Sequence, residues 1–322
     1  MVAMLAALVA AELCAAAPVV VVHAHALPPA LAARLDRSRV ELRGYAPLVV
    51  VTNGFRLPET FAAGRADETQ LFVVSADESE AAVVNSLPSV NGALANNADP
   101  GWSGDRGLLY AFQALHSKLK ADYYWNVEHD VGWTGDLGAL LRGWENSTAD
   151  LICADLQNVD ANWAHGVQRD TGDWLAEEDA RHCLMTVSRV SARLLHQIIK
   201  VAAEPGRKAY LEMRSASECA RHKRLFDNCT AVDLFSTRKQ ATHRGALFTY
   251  TGSRLHQRYH SKQRIFGAMD AARNASRSQF FHPLKESVHR FSADYAKRRQ
   301  RRPRPNAAPA AGTAPSVLAS EP

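Results

Sequence analysis

Short apolar runs recur along the first half of the chain: Val19 to Val22, Leu48 to Val51 and Leu71 to Val74. The second and third end in the polar turns Thr52-Asn53-Gly54 and Ser75-Ala76-Asp77-Glu78. Unbroken β-branched and aliphatic runs of this length, closed by turn residues, predict strands buried on both faces. Between the last two lies Leu57-Pro58-Glu59-Thr60-Phe61-Ala62-Ala63, a short helix with Pro58 suited to its first turn. From about Asp105 to Lys120, Leu108, Phe112, Leu115 and Leu119 repeat at helical spacing and predict a helix packed on the sheet. Strands alternating with helices predict an α/β fold with a parallel sheet and crossover helices. Asn85 to Gly101, rich in Asn, Pro, Ser and Gly, has no period and reads as a long loop covering a site.

The pattern then changes. Asp122-Tyr123-Tyr124-Trp125-Asn126-Val127-Glu128-His129-Asp130-Val131-Gly132 is an aromatic, apolar run that finishes on two acids. With a strand's period of two, Asn126, Glu128 and Asp130 point one way and Trp125, Val127 and Val131 the other. A buried strand does not finish on two like charges unless something compensates them. The carboxyl end of a sheet strand is where open α/β sheets bind ligands, so a divalent cation is one compensator. Solvent or ion pairs at a loop edge are the other.

Further along, Thr134-Gly135-Asp136 turns into a helix with Leu137, Leu140 and Leu141, and Ala149 to Ala154 reads as a strand. Asn158 to Glu178 carries Trp163 and Trp174 on an irregular loop, placed either to stack on sugar rings or to cover the core edge. Cys183 to Val187 leads to Ser188-Arg189-Val190-Ser191, where Arg189 either clamps a phosphate or begins the helix marked by Leu194, Leu195, Ile198 and Ile199. Ala209-Tyr210-Leu211-Glu212-Met213 is a strand-like run presenting another acid, free for chemistry or paired with Arg214.

Composition narrows the picture. The chain has 322 residues and a net charge of +5, but Lys297 to Arg304 supplies much of that excess and runs into an Ala/Pro/Ser tail. The body is close to neutral, which argues against nucleic acid as a partner. Residues 1 to 17 are Ala/Leu/Val-rich without Lys or Arg and fit a signal or membrane-anchor segment as well as an element of the fold. The expected organisation is therefore residues 1–17 as that segment, one domain over 18–290, and a basic then Ala/Pro-rich disordered tail over 291–322. Omitting Cys14 leaves Cys153, Cys183, Cys219 and Cys229, enough for two disulfides, with Cys219 and Cys229 the most plausible local pair. Asn146-Ser147-Thr148, Asn228-Cys229-Thr230 and Asn274-Ala275-Ser276 fit the N-glycosylation pattern and lean toward the secretory route.

Taken together, Tyr123 to Val131 with Thr134-Gly135, Ala149-Asp150-Leu151, Arg189-Val190-Ser191, Glu212 and His282-Pro283-Leu284-Lys285 resemble the GT-A-type, nucleotide-sugar-dependent glycosyltransferases. More narrowly, they look like a glycosyltransferase-like group of fungi, algae and bacteria. The resemblance covers roughly Trp102 to Lys285, and the acid-tipped strand is its most specific part. It implies a mostly parallel central sheet with helices on both faces, a nucleotide-diphosphate sugar as donor, and a glycan, protein or lipid hydroxyl as acceptor. It further implies Mn²⁺ or Mg²⁺ held at Glu128, Asp130 and His282, Lys285 and Arg189 against the diphosphate, and Glu212 as the general base. A Golgi or other secretory location, with membrane association through the amino terminus, goes with it. One departure stands out: many relatives carry an acid between the two, and this chain carries His129.

The chemistry suits those residues. Departure of a nucleoside diphosphate builds negative charge that a carboxylate-held hard cation stabilises, so Glu128 and Asp130 bind rather than react. An inverting transfer needs a separate base for the acceptor hydroxyl, the role expected of Glu212. Lysine is a compact charge for phosphate, and neutral histidine is a metal ligand. His129 also leaves open a non-catalytic carbohydrate- or nucleotide-sugar-binding protein on the same fold, which would release no nucleotide from a donor.

Overall fold

The computed structural model describes residues 17–24, 26–52, 55–62, 68–75, 104–159, 175–204, 211–225, 228–234, 248–250 and 260–282. Residues 1–16, the segment 85–101, Trp163, Trp174, Lys285 and the basic run near the carboxyl end lie outside them. The tail falls in a separate unit, Lys285–Pro322, and the fold below belongs to the unit that ends at Leu284.

In chain order the elements are β1 (Val19–Ala24), α1 (Pro29–Glu41), β2 (Leu48–Thr52), α2 (Glu59–Ala62), β3 (Leu71–Ser75), α3 (Gly104–Leu119), β4 (Tyr123–Val127) and β5 (Gly132–Thr134). They continue with α4 (Leu137–Arg142), β6 (Leu151–Asn158), β7 (Arg181–Ser191), α5 (Ala192–Ala202), α6 (Leu211–Leu225), β8 (Ala231–Asp233), β9 (Phe248–Tyr250), α7 (His260–Asn274) and β10 (Gln279–His282). Seven strands form one sheet in the order β3-β2-β1-β4-β7-β6-β8. β7 alone runs against its neighbours β4 and β6, and every other pair in this sheet is parallel. This is the mostly parallel α/β architecture the sequence predicts.

The valine runs explain why helices cover both faces. Val19 and Val21 of β1 join a core with Leu108 and Phe112 of α3 and Leu195 and Ile198 of α5. Val20 and Val22 join a second core with Leu31 and Leu35 of α1 and Leu137 and Leu141 of α4. Each such side chain removed from water contributes about 1.5–3 kcal/mol, so a strand apolar at every position is stable only between two helical layers.

Two local readings are corrected. The segment 183–191 is a single long strand, and the helix begins only at Ala192, where the Ser191 hydroxyl accepts from the Leu194 amide. Ser191 is an N-cap, which ends the strand and starts the helix in one residue. Glu212 lies not on a strand but in the first turn of the 15-residue helix α6. The Ser217 hydroxyl of α6 pins that helix to β7 by accepting from the Arg181 amide (3.0 Å) and donating to its carbonyl (3.1 Å). Cys219 and Cys229 form the expected disulfide, and Cys153 and Cys183 are buried free thiols.

Candidate metal centre at the end of the acid strand

β4 is buried from Tyr124 onward, with Tyr124 in one core and Trp125 and Val127 in the other. Its ladder continues one residue past the strand, the Glu128 amide donating to the Thr186 carbonyl at 2.9 Å. The chain then turns, the Val131 amide donating to the Glu128 carbonyl at 3.0 Å. Helix α1 fixes this turn from the side. Arg34 donates to the His129 carbonyl at 2.8 Å, and the Glu41 carboxylate accepts from the Trp133 indole (2.8 Å) and the Leu137 amide (2.9 Å).

A small second sheet brings in the third member. β10 pairs antiparallel with β5, matching Gln279 to Thr134, Phe280 to Trp133 and Phe281 to Gly132. The next residue, His282, therefore arrives beside the acid turn. Gly135 makes this close approach feasible: its φ is +75°, and a Cβ there would stand 2.0 Å from the Ser278 hydroxyl oxygen. His282 Nε2 lies 3.2 Å from Asp130 Oδ1 and 3.4 Å from Glu128 Oε2. One ligand atom from each of Glu128, Asp130 and His282 falls within 4.8 Å of the others.

Two carboxylates and an imidazole suit a divalent cation such as Mn²⁺, with the carboxylates serving Mg²⁺ as well. The electrostatics agree with an anionic socket. Burial would push the His282 imidazole down, but its hydrogen bonds to Asp130 and Glu128 outweigh that and raise it to about 9. In the metal-free protein the imidazolium thus partly compensates the two acids. Metal binding would displace that proton.

Glu212 belongs to the same neighbourhood. Burial raises its carboxyl to about 7, reinforced by the charges of Glu128 and Asp155 and opposed by His282. The first turn of a helix ordinarily favours an anion, so burial and like charge prevail over the helix dipole here.

Asp155 was not singled out by sequence. It follows the apolar run of β6 where the pairing with β7 slips, and its φ is +57°. The Asp233 carboxylate holds this irregularity, accepting from the amides of Asp155 (2.9 Å) and Leu156 (3.2 Å). The available signal was an acid inside a strand pattern, because aspartate tolerates the left-handed region that a bulge demands.

Arg189 is not brought to this group. Its guanidinium donates to the carbonyls of Trp144 (2.8 Å), Ser147 (2.6 Å) and Ala149 (3.1 Å), and its carbon lies 4.0 Å from the Tyr123 ring centroid. It pairs across the ladder with Trp125 and so leaves the sheet on the face opposite Asn126. Buried and committed to three carbonyls, it anchors the connection from α4 to β6 instead of clamping a phosphate.

No helix among the described residues is long and apolar enough to cross a membrane. No family model matches the chain, and no curated protein does. Among solved structures, the apo form of mouse xyloside xylosyltransferase 1 aligns over 82% of this chain and 96% of its own, at 11% identity and a TM-score of 0.42. That likeness is too distant to carry an argument about activity, and the functional reading rests on the residues themselves.

Proposed function

We propose that the chain is a metal-dependent glycosyltransferase of GT-A type that moves a sugar from a nucleotide-diphosphate donor to a hydroxyl acceptor. The observation that carries the reading is the convergence of Glu128, Asp130 and His282 at the carboxyl end of a parallel strand, with Glu212 as a separate protonatable carboxylate beside them. A cation held there would bind the diphosphate and neutralise the charge that develops as it leaves. Glu128, Asp130 and neutral His282 would hold that cation. Glu212 takes the proton of the acceptor hydroxyl, and a carboxyl raised to about 7 is matched to that task near neutral pH. The negative charge of Asp155 adds to the rise of the Glu212 carboxyl. The sequence resemblance gives Lys285, which lies outside the described residues, the role of a point charge for phosphate.

The test is a thermal-shift screen of nucleoside diphosphates and their sugars with and without Mn²⁺, followed by a donor-hydrolysis assay. Binding to the folded state at a hundred times Kd stabilises by about 2.7 kcal/mol. The expected result is a shift that needs both nucleotide and metal and disappears in Glu128→Ala and Asp130→Ala. A panel showing no metal-dependent shift sinks the proposal. His129 between the acids favours a second reading, a nucleotide-sugar binder without turnover; metal-dependent binding with no nucleotide released from any donor would select it.

A further inference from the structure

Two N-glycosylation triplets meet at one rim of the large sheet. Asn146-Ser147-Thr148 occupies the connection into β6, and Asn228-Cys229-Thr230 the connection into β8. β6 and β8 are parallel neighbours, Leu151 standing beside Ala231, so the triplets enter the sheet side by side. The side chains of Asn146, Thr148, Asn228 and Thr230 are all exposed.

The same rim is tightly organised underneath. Arg189 holds the carbonyls of Trp144, Ser147 and Ala149 from within the molecule. Asp150 accepts from the Thr230 amide at 3.1 Å, and the Thr230 carbonyl accepts from the amides of Asp150 (2.9 Å) and Leu151 (3.1 Å). Cys229 is buried in its disulfide with Cys219. Backbone groups of Ser147 and Thr230 are thus held inward, while the asparagine and threonine of each triplet are exposed.

We propose that Asn146 and Asn228 carry N-linked oligosaccharides, added as the chain enters an oxidising secretory compartment. The disulfide is an independent reason for that compartment, because such bonds persist where thiols are oxidised. In the modification, Asn Nδ2 attacks the anomeric carbon of an oligosaccharide linked to a polyprenyl pyrophosphate, under the host's transferase. A C–N bond forms, the C–O bond to the pyrophosphate breaks, the amide nitrogen gives up one proton and the lipid pyrophosphate leaves.

Placement makes the sites compatible with a ligand-binding fold. Leu151 pairs with Val190, which pairs with Tyr124 at the start of β4, whereas Glu128 lies past that strand's far end. Four residues at about 3.3 Å each put the glycosylated rim roughly 13 Å along the strands from the acid group. Bulky, solvated sugars there would leave the metal centre open.

Asn274, in the last position of α7, lies elsewhere and is replaced by glutamine in every chain used for the test. The full chain is expressed in a eukaryotic secretory host and read on denaturing gels, with and without peptide N-glycosidase F, and by peptide mass. Partial digestion should give a two-step ladder above the bare chain. Asn146→Gln and Asn228→Gln should each lose one step, and the double variant both. Thr148→Ala and Thr230→Ala should lose the same steps while keeping the asparagine. The steps are counted on unfolded protein, so a folding defect in a variant does not obscure them. A chain whose mobility and peptide masses are unchanged by the glycosidase, in whatever compartment it is recovered, overturns the proposal, as does a ladder with either step missing. The readout involves no catalysis and is independent of the proposed transferase activity.

Discussion

Two ends of the same sheet treat carboxylates in opposite ways. At the rim where β6 begins, Asp150 is buried but fully answered. Its carboxylate accepts from Arg193 (2.5 Å to each oxygen), from the Ser191 hydroxyl (2.8 Å) and from the Thr230 amide (3.1 Å). Burial pushes its carboxyl up, but these partners outweigh that and hold it below its ordinary 3.8. At the far end, Glu128 and Asp130 flank the His282 imidazole, with Glu212 within reach of their charge, and the outcome is a carboxyl raised to about 7 and a histidine raised to about 9. A buried acid matched by donors is scaffolding. Two acids and an imidazole whose ligand atoms converge within 4.8 Å form the geometry on which the proposed cation site rests.

The contrast breaks most visibly by neutralising one acid at each end. Glu212→Gln should lower turnover about 10²–10⁴-fold, as expected for loss of a general base, while leaving metal-dependent nucleotide binding in place. Its stability should move the other way. Glu212's raised carboxyl favours the fold at low pH and loses that contribution as pH rises from 4.5 through about 7, so the variant should melt no lower than the parent at pH 8. Thermal melts paired with donor-hydrolysis rates check both halves. A large fall in Tm at pH 8 would class Glu212 with the scaffolding acids.

Asp150→Asn should do the reverse, costing about 3 kcal/mol because a buried charged hydrogen-bond network loses its centre. Because the carboxyl of Asp150 is depressed in the fold, its contribution is present above its unfolded value of 3.8 and is lost as pH falls below that through the folded value. Urea titrations at pH 7 and pH 3 should therefore show the gap between parent and variant narrowing in acid, with nucleotide binding unaffected at pH 7.

A smaller effect concerns protons. With His282 protonated up to about 9 in the metal-free protein, Mn²⁺ should release close to one proton per ion at pH 7. Below that value its affinity should rise about tenfold, or 1.4 kcal/mol, with each unit increase in pH. Calorimetry in buffers of different ionisation enthalpy reads this directly, and binding without proton release would remove His282 from the ligand set. The smallest change belongs to Asp155→Asn. Loss of one nearby negative charge should shift the acidic limb of the activity profile downward, with maximal turnover changed by only about 2–5-fold. An unmoved limb would mean that Asp155 is only the corner of a bulge.

Much of the scaffold was legible beforehand. The valine runs fix strands sealed on both sides, the 105–120 periodicity fixes α3, and aromatics leading into Glu128 and Asp130 mark a strand ending on charge. These are local signals, carried by residue type and spacing. A lone arginine near a strand end looks the same in sequence whether its donors meet phosphate or backbone, and those of Arg189 meet backbone carbonyls. Glu212 was set on a strand because an apolar pair beside an acid fits either period over so short a window.

The sequence alone determined that a buried parallel-type sheet carries an acid-tipped strand, since burial at every position and charge at the end are written in consecutive residues. The resemblance names His282 and Glu212, but only the tertiary structure decided how distant groups reach that end. His282 arrives through the pairing of β10 with β5, Glu212 through the docking of α6 on β7, and Asp155 through a slip in the register of β6. Each depends on contacts between segments far apart in the chain, and spacing along a single strand of sequence holds no record of them.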